Sequence, residues 1–253
     1  MSSYEDAYKR LGFISDPFTY PHGEKAPDEF LEATWVDFPN SEKVLNLDQS
    51  SILLAPPGSG KTAWRRYLEK KIASEDQQFL SVVYNQFEIP KNRRIRLNDH
   101  KYPLLRQIAR AVINYLENTW SLDNKNASSD SCFHNKLWWY AFLIHFLPQY
   151  YQPKLEQLFP DHSGVLPQWG NLTNLQEIIL QELVPRLISI GLDRLYILVD
   201  DLDGILETQN PDSLAALIDP LINNTHLLSD SKLVWKLFGP KQLQADVQKS
   251  HSY

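Results

Sequence analysis

The chain has 253 residues, 43% of them hydrophobic, so it is long enough to bury a substantial core. Its formal net charge of −6 argues against a nucleic-acid partner. The single cysteine excludes an internal disulfide, and the first six residues lack the basic and apolar regions of a signal peptide, so we expect a cytoplasmic protein.

Residues 1–46 are predicted to be an irregular lead-in, because prolines and aromatic residues occur there without a helix or strand period. We expect this segment to pack on a core without joining its sheet. Within it, residues 12–18 read G-F-I-S-D-P-F, which is typical of a turn anchored in the core by Phe18.

Residues 47–99 are predicted to form the first half of a nucleotide-binding core. The run A-P-P-G-S-G-K-T at 55–62 follows the apolar residues 51–54 and precedes the helix-compatible residues 63–68, which gives a strand, a tight loop and a helix. One departure from the usual pattern is Ala55, which stands where that pattern has glycine. The loop is the candidate nucleotide-binding site, and its members are Ala55, Pro56, Pro57, Gly58, Ser59, Gly60, Lys61 and Thr62.

The residue types in this loop suit a phosphate group. Gly58 and Gly60 let successive backbone N–H groups point at an anion, and the helix N-terminus adds positive potential. Lys61 can reach the outer phosphates and take part in catalysis, and Thr62 can ligate magnesium. The sequence therefore predicts binding of ATP with Mg²⁺. The alternative is a strand-to-helix turn whose glycines serve geometry alone.

A second strand is predicted at 79–87, followed by a basic turn at 91–96 and a helix at 103–118. The basic turn has three interpretations. It is typical of a solvated loop, but it could also supply an arginine to the phosphate of a neighbouring subunit or meet an acidic partner.

Residues 100–171 are predicted to be a helical, aromatic-rich insertion. Trp138, Phe142 and Phe146 follow one another at helical spacing, which indicates a core stripe or a partner groove, and we favour the core. The most apolar stretch, 137–147, is shorter than the ~20 residues that span a bilayer, so we expect no membrane span. Residues 121–131 are predicted to be a surface loop.

Residues 172–253 are predicted to form the second half of the core. A helix at 172–190 ends at Gly191, and the apolar strand at 195–199 is followed by acidic residues. A helix at 212–228, interrupted near Pro220, precedes a last strand at 232–238. The order of elements predicts an α/β three-layer sandwich around a mainly parallel sheet.

Three carboxylates follow the acidic strand. Asp200 comes first after it, and we expect it to support the magnesium ion. Asp201 and Asp203 are the two candidates for the general base that polarises the attacking water, and we favour Asp201. Asp203 shares its face only if the chain keeps strand geometry beyond the tip. The alternative is a solvated acidic turn after a core strand.

The runs A-P-P-G-S-G-K-T and L-Y-I-L-V-D-D-L-D-G together resemble the P-loop ATPases of the AAA-related superclass, especially the STAND and KAP ATPases. KAP proteins are similar in having two adjacent aspartates and a third after one apolar residue. STAND proteins have a small residue at the place of Asp201 and an acid at that of Asp203. Both aspartates therefore remain candidates for the general base. The resemblance covers roughly residues 12–72 and 172–240. It implies ATP binding and slow hydrolysis that switch an oligomeric or signalling state, with residues 12–18 near the base.

Two departures from these families shape the expected partners. Their fourth strand carries a sensor residue at its tip, where this chain has Phe238 and Gly239, with Lys236 the only polar residue of that strand. They also continue beyond the point that corresponds to Tyr253. We therefore expect either a homo-oligomer or protein partner that supplies an arginine finger or a lid, or a shortened relative of these families. The alternative function is a nucleotide-binding interaction module that does not hydrolyse ATP.

Overall fold

The computed structural model describes residues 23–33, 41–75, 78–90, 94–123, 130–160, 174–202, 204 and 211–250. Its four strands form one sheet in which every pair is parallel. They are β1 (Ser51–Ala55), β2 (Phe79–Tyr84), β3 (Arg194–Val199) and β4 (Leu233–Pro240). The order across the sheet is β1-β4-β3-β2, so one strand separates β1 from β3.

Helices connect the strands, as a parallel sheet requires. Their bounds are α1 Asp28–Ala33, α2 Ser41–Leu45, α3 Lys61–Glu75, α4 Lys101–Asp123, α5 Asp130–Phe146, α6 Gln152–Leu158, α7 Leu175–Glu177, α8 Val184–Ser189, α9 Pro211–Ile222, α10 Thr225–Ser229 and α11 Gln244–Ser250. The predicted α/β class and parallel sheet are confirmed.

The strands bury both faces because alternate side chains point to opposite sides of the sheet. Tyr196 and Leu198 of β3 join a cluster with Leu68 of α3 on one face. Leu195 and Ile197 join a larger cluster on the other face. Every residue of β4 is buried, as are the residues of β3 after Arg194, which explains why both read as continuous apolar runs. This arrangement is compatible with a three-layer sandwich.

The aromatic stripe of α5 belongs to the same core as the sheet. Trp138 stacks on Phe142 with ring centroids 5.2 Å apart, and Phe142 contacts Phe146 at 5.0 Å. All three are buried in the cluster that also contains Val82 of β2. The core interpretation of this stripe is therefore confirmed. The surface loop predicted at 121–131 is shorter than expected, because residues 121–123 belong to α4 and residues 130–131 to α5; residues 124–129 lie outside the described residues.

Two predicted helices differ in detail. The helix predicted at 172–190 is divided by a π-helical turn, Ile178–Leu183, before α8. Pro185 lies just after this turn and has no backbone N–H to continue the α-helical ladder, which accounts for the changed register. The interruption predicted near Pro220 falls later, because α9 runs through to Ile222 and Asn224 caps α10.

Strand and helix boundaries shift by a few residues elsewhere. The second strand ends at Tyr84 rather than at residue 87, and the last strand includes Gly239 and Pro240. Gly191 has a φ of 90°, which only glycine adopts readily, and the helix before it ends as predicted. Among the helices of the described ranges, none has the length and apolar character needed to cross a membrane.

Candidate functional site

The loop between β1 and α3 connects a strand to a helix, as its sequence predicts. Gly58 and Gly60 have φ values of 75° and 83°, and an added Cβ at either would meet no heavy atom within 4 Å. Residues 56–60 are exposed. The backbone at the two glycines is therefore open to an approaching group, and the helix begins directly afterwards with the Trp64 N–H donating to the Gly60 carbonyl at 2.9 Å.

Ala55 is accommodated without strain at the first position of the motif. It is the last residue of β1 and lies in register with Pro240 of β4. Because its backbone is extended, a Cβ is tolerated there, and the usual glycine is not needed.

The side chain of Lys61 contacts the backbone of the loop at 55–62. The residue is 7% exposed, and its Nζ donates to the carbonyl oxygens of Ala55 at 3.3 Å and Pro56 at 3.1 Å. The ammonium group thus lies beside the start of the loop. Thr62, the next residue, occupies the first turn of α3.

The carboxyl end of β3 brings Asp200 to the same edge of the sheet. The Asp200 N–H donates to the carbonyl of Tyr84 at 3.2 Å, which extends the ladder between β3 and β2 by one residue. Its carboxylate is buried and accepts a hydrogen bond from Arg65 Nε at 3.1 Å. Arg65 lies one turn after Lys61 on α3, so this contact joins the loop helix to the acidic strand tip.

Asp201 lies in a tight turn immediately beyond. It is exposed and has a φ of 61°, the one positive φ among the described residues other than glycine. Its carbonyl accepts from the Gly204 N–H at 3.3 Å, and a Cβ on Gly204 would come within 2.3 Å of Asp201 Oδ1. The carboxylate therefore lies against a glycine that leaves room for it. Aspartate tolerates this backbone better than most residues, at a cost of order 1 kcal/mol.

The strand geometry beyond the tip is not retained. Because β3 ends at Val199 and Asp201 is left-handed, the condition under which Asp203 would share a face with Asp201 fails. Asp203 itself lies outside the described residues.

Sequence reasoning missed Arg65. Its three guanidinium nitrogens contact three carboxylates: Nε meets Asp200, Nη1 meets Glu69 at 2.7 Å, and Nη2 pairs with Glu24 of the lead-in. Burial raises the pKa of the Glu69 carboxyl, although the neighbouring Arg65 opposes that shift. The spacing of four residues places Arg65 on the same helix face as Lys61, and this spacing could have identified Arg65 as a residue near the loop.

The described part of the lead-in packs on α3. Arg66 donates through Nη1 to the carbonyl of Gly23 at 2.6 Å and through Nη2 to Asp28 at 2.7 Å. A Cβ on Gly23 would lie 3.1 Å from the backbone N of Ala63. The lead-in therefore touches the first turn of the loop helix. Its described residues contribute no strand, as predicted, but they include the helices α1 and α2, so this part of the lead-in is not irregular. Residues 12–18 lie outside the described part of the chain.

Lys236 points away from the loop. It is fully buried, and its Nζ donates to the Asn46 carbonyl at 2.6 Å and to Ser51 Oγ at 3.1 Å, at the opposite end of β1. Burial lowers the pKa of Lys236 to about 8. Lys236 thus secures the segment before β1, and the tip of β4 carries Phe238 and Gly239 instead of a polar sensor.

Two other features lie away from the loop. Arg94 of the basic turn pairs with Asp219 of α9 at 3.3 Å on an exposed surface, and residues 91–93 lie outside the described ranges.

A cavity of about 520 Å³ lies near the start of β1 and β4, lined in part by Ile52, Leu228 and Trp235. The cavity is at the other end of the sheet from Lys61, so it adds no group to the candidate site.

Thr62 and Asp200 carry oxygens of the types that magnesium takes when it is bound together with phosphate. No group of three or more His, Cys, Asp or Glu side chains among the described residues is arranged to hold a metal by itself. Magnesium sites on nucleotides need only one or two protein oxygens, with phosphate and water as the other ligands. Thr62 and Asp200 fit that requirement.

The sequence matches no protein-family model and no curated protein.

Proposed function

We propose that this protein binds ATP through the loop at 55–62 and is a slow magnesium-dependent ATPase that acts as a regulatory or signalling switch. The observation that carries the proposal is the contact between Arg65 and Asp200. It brings the helix that begins with Lys61 and Thr62 to the carboxylates that follow β3, on one edge of a parallel sheet, which is where such sheets bind ligands.

Each residue has a role in this proposal. The N–H groups around Gly58 and Gly60, together with the start of α3, bind phosphate oxygens, and Lys61 donates to the outer phosphates. Thr62 and Asp200 would hold Mg²⁺, which when bound neutralises charge on the phosphates. Asp201 orients the attacking water and accepts its proton, with Asp203 as the other candidate.

The family assignment is part of the same proposal. The two motifs support a P-loop NTPase fold of the AAA-related superclass, similar to STAND and KAP ATPases. A protein partner or second copy that supplies an arginine finger or lid belongs to it as well.

A second candidate function is a nucleotide-binding interaction module that does not hydrolyse ATP. One observation favours it: the tip of β4 is apolar. The one lysine of β4, Lys236, donates hydrogen bonds to Asn46 and Ser51 at the far end of β1. In that case nucleotide would serve as a structural ligand.

Equilibrium titration with ATP and ADP in magnesium tests the proposal. We expect wild type to bind both nucleotides, Lys61→Ala to lose most of that affinity, and Lys70→Ala, an exposed position on the same helix, to retain it. Failure of wild type to bind either nucleotide would refute both candidate functions. Phosphate release over hours then separates them, since release abolished in Asp201→Asn indicates an ATPase and binding without release indicates the module.

A further inference from the structure

Arg65 connects three parts of the chain through one buried charge. Its side chain is 4% exposed, and each nitrogen faces a different carboxylate: Asp200 beyond β3, Glu69 one turn along α3, and Glu24 in the lead-in turn Gly23–Lys25. The guanidinium is planar and always protonated, so it can hold these three directions at once.

A single positive charge shared by three carboxylates makes the three interactions interdependent. If another cation neutralises Asp200, that carboxylate no longer repels Glu24, so the net attraction that holds Glu24 at Arg65 grows. If Glu24 loses its charge, Arg65 neutralises Asp200 more completely. Because Arg65 and Asp200 are buried, salt screens this exchange less than it screens surface pairs.

We infer that Arg65 is a positioning residue that couples magnesium at Asp200 to docking of the Gly23–Lys25 turn on α3. This inference rests on the proposed function, because it needs a magnesium nucleotide at the loop. Linkage then makes the effect reciprocal: bound magnesium nucleotide holds the turn more tightly, and a docked turn raises the affinity for magnesium nucleotide.

The chain offers a matched pair of variants. Glu24→Gln removes the lead-in carboxylate that pairs with Arg65, whereas Asp28→Asn removes the one that pairs with Arg66. Both carboxylates are more than half exposed and belong to the same segment, so neither change is expected to prevent folding. Of these two arginines, Arg65 also contacts Asp200 and Arg66 does not.

Affinity for ATP, measured with magnesium and again with EDTA, gives the first readout. We expect Glu24→Gln to weaken binding of magnesium ATP by about fivefold or more and to leave binding in EDTA unchanged. Asp28→Asn should match wild type under both conditions.

Trypsin cleavage after Lys25, followed by mass spectrometry, gives a second readout that does not depend on hydrolysis of ATP. Lys25 is exposed but Ala26 is buried and its carbonyl accepts from Arg66, so cleavage requires the turn to open locally. Magnesium ATP should slow this cleavage in wild type and Asp28→Asn, and ATP in EDTA should slow it less. The protection should be lost in Glu24→Gln.

The two proposals fail in different ways. If wild type binds magnesium ATP but Glu24→Gln binds it equally well and is equally protected, the coupling is refuted and the proposed function stands. If wild type binds no nucleotide, the proposed function is refuted and the coupling with it.

Discussion

The hydroxyl of Tyr84 donates a hydrogen bond to Nδ1 of His100 at 2.8 Å, deep under the edge of the sheet that carries Asp200. The direction follows from the other ring nitrogen, because His100 Nε2 lies 3.0 Å from the Leu217 carbonyl, which can only accept. Burial lowers the pKa of His100 and favours the neutral ring, whose proton then lies on Nε2. The chain of contacts joins the end of β2 to the start of α4 and to α9.

His100 is expected to make the protein sensitive to acid. Burial lowers the pKa of His100 from 6.5 to about 4. Between these pH values His100 is protonated in the unfolded chain but stays neutral in the folded chain. Stability should fall as the pH drops from 6.5 towards 4. In urea titrations between pH 7 and about 4.5, His100→Gln should lose about 2 kcal/mol less than wild type.

Tyr84→Phe is the control for this experiment. It removes the hydroxyl but keeps the buried imidazole and its bond to Leu217, so its loss of stability between these pH values should equal that of wild type. An acid dependence that persists unchanged in His100→Gln would contradict the assignment.

Lys236 is expected to act in the opposite pH range. The folded-state pKa of Lys236, about 8, lies below the ordinary 10.5. The buried charge therefore destabilises the folded state at neutral pH, and stability rises as the pH increases from 8 to 10.5. Wild type should gain about 2 kcal/mol relative to Lys236→Met between pH 7 and pH 10, measured by urea unfolding. Parallel pH profiles for the two proteins would show that Lys236 is not desolvated.

Asp201→Asn tests the proposed role of the strained turn. Asparagine also tolerates a positive φ, so stability should stay within about 0.5 kcal/mol of wild type. Loss of the proton acceptor should slow phosphate release by about 100-fold or more while ATP affinity is retained. Phosphate release at the wild-type rate would leave Asp203 as the general base.

The aromatic stripe is expected to stabilise the fold through packing. Phe142 is fully buried between Trp138 and Phe146, and Phe142→Ala should cost about 3–5 kcal/mol of unfolding free energy. Tyr150→Ala, at a position 69% exposed, should change stability by less than about 0.5 kcal/mol. Chemical denaturation of both variants checks the contrast, and a small effect of Phe142→Ala would indicate a loosely packed groove instead.

Local patterns predicted the elements that form the candidate site. The order of residues 51–68 fixes a strand, a glycine loop and a helix, and the apolar run before Asp200 requires a buried parallel strand. Because parallel strands end at the same edge of a sheet, the two segments predict that the loop and Asp200 lie at one edge.

The remaining features depend on contacts between distant residues. Arg65 pairs with Glu24 and Asp200, which lie 41 and 135 positions away along the chain, and no local period records such a pairing. Lys236 lies inside the last strand in the sequence pattern, and no local pattern indicates that its side chain donates to the carbonyl of Asn46. The π-helical turn before Pro185 likewise reflects a backbone register that apolar spacing does not specify.

Phosphate release from ATP in magnesium, followed over hours for wild type, Lys61→Ala and Lys70→Ala, tests whether the loop at 55–62 supports ATP hydrolysis. We expect slow release by wild type and Lys70→Ala and none by Lys61→Ala, because Lys61 lies at the loop carbonyls of Ala55 and Pro56. Release by Lys61→Ala at the wild-type rate would contradict this role of the loop.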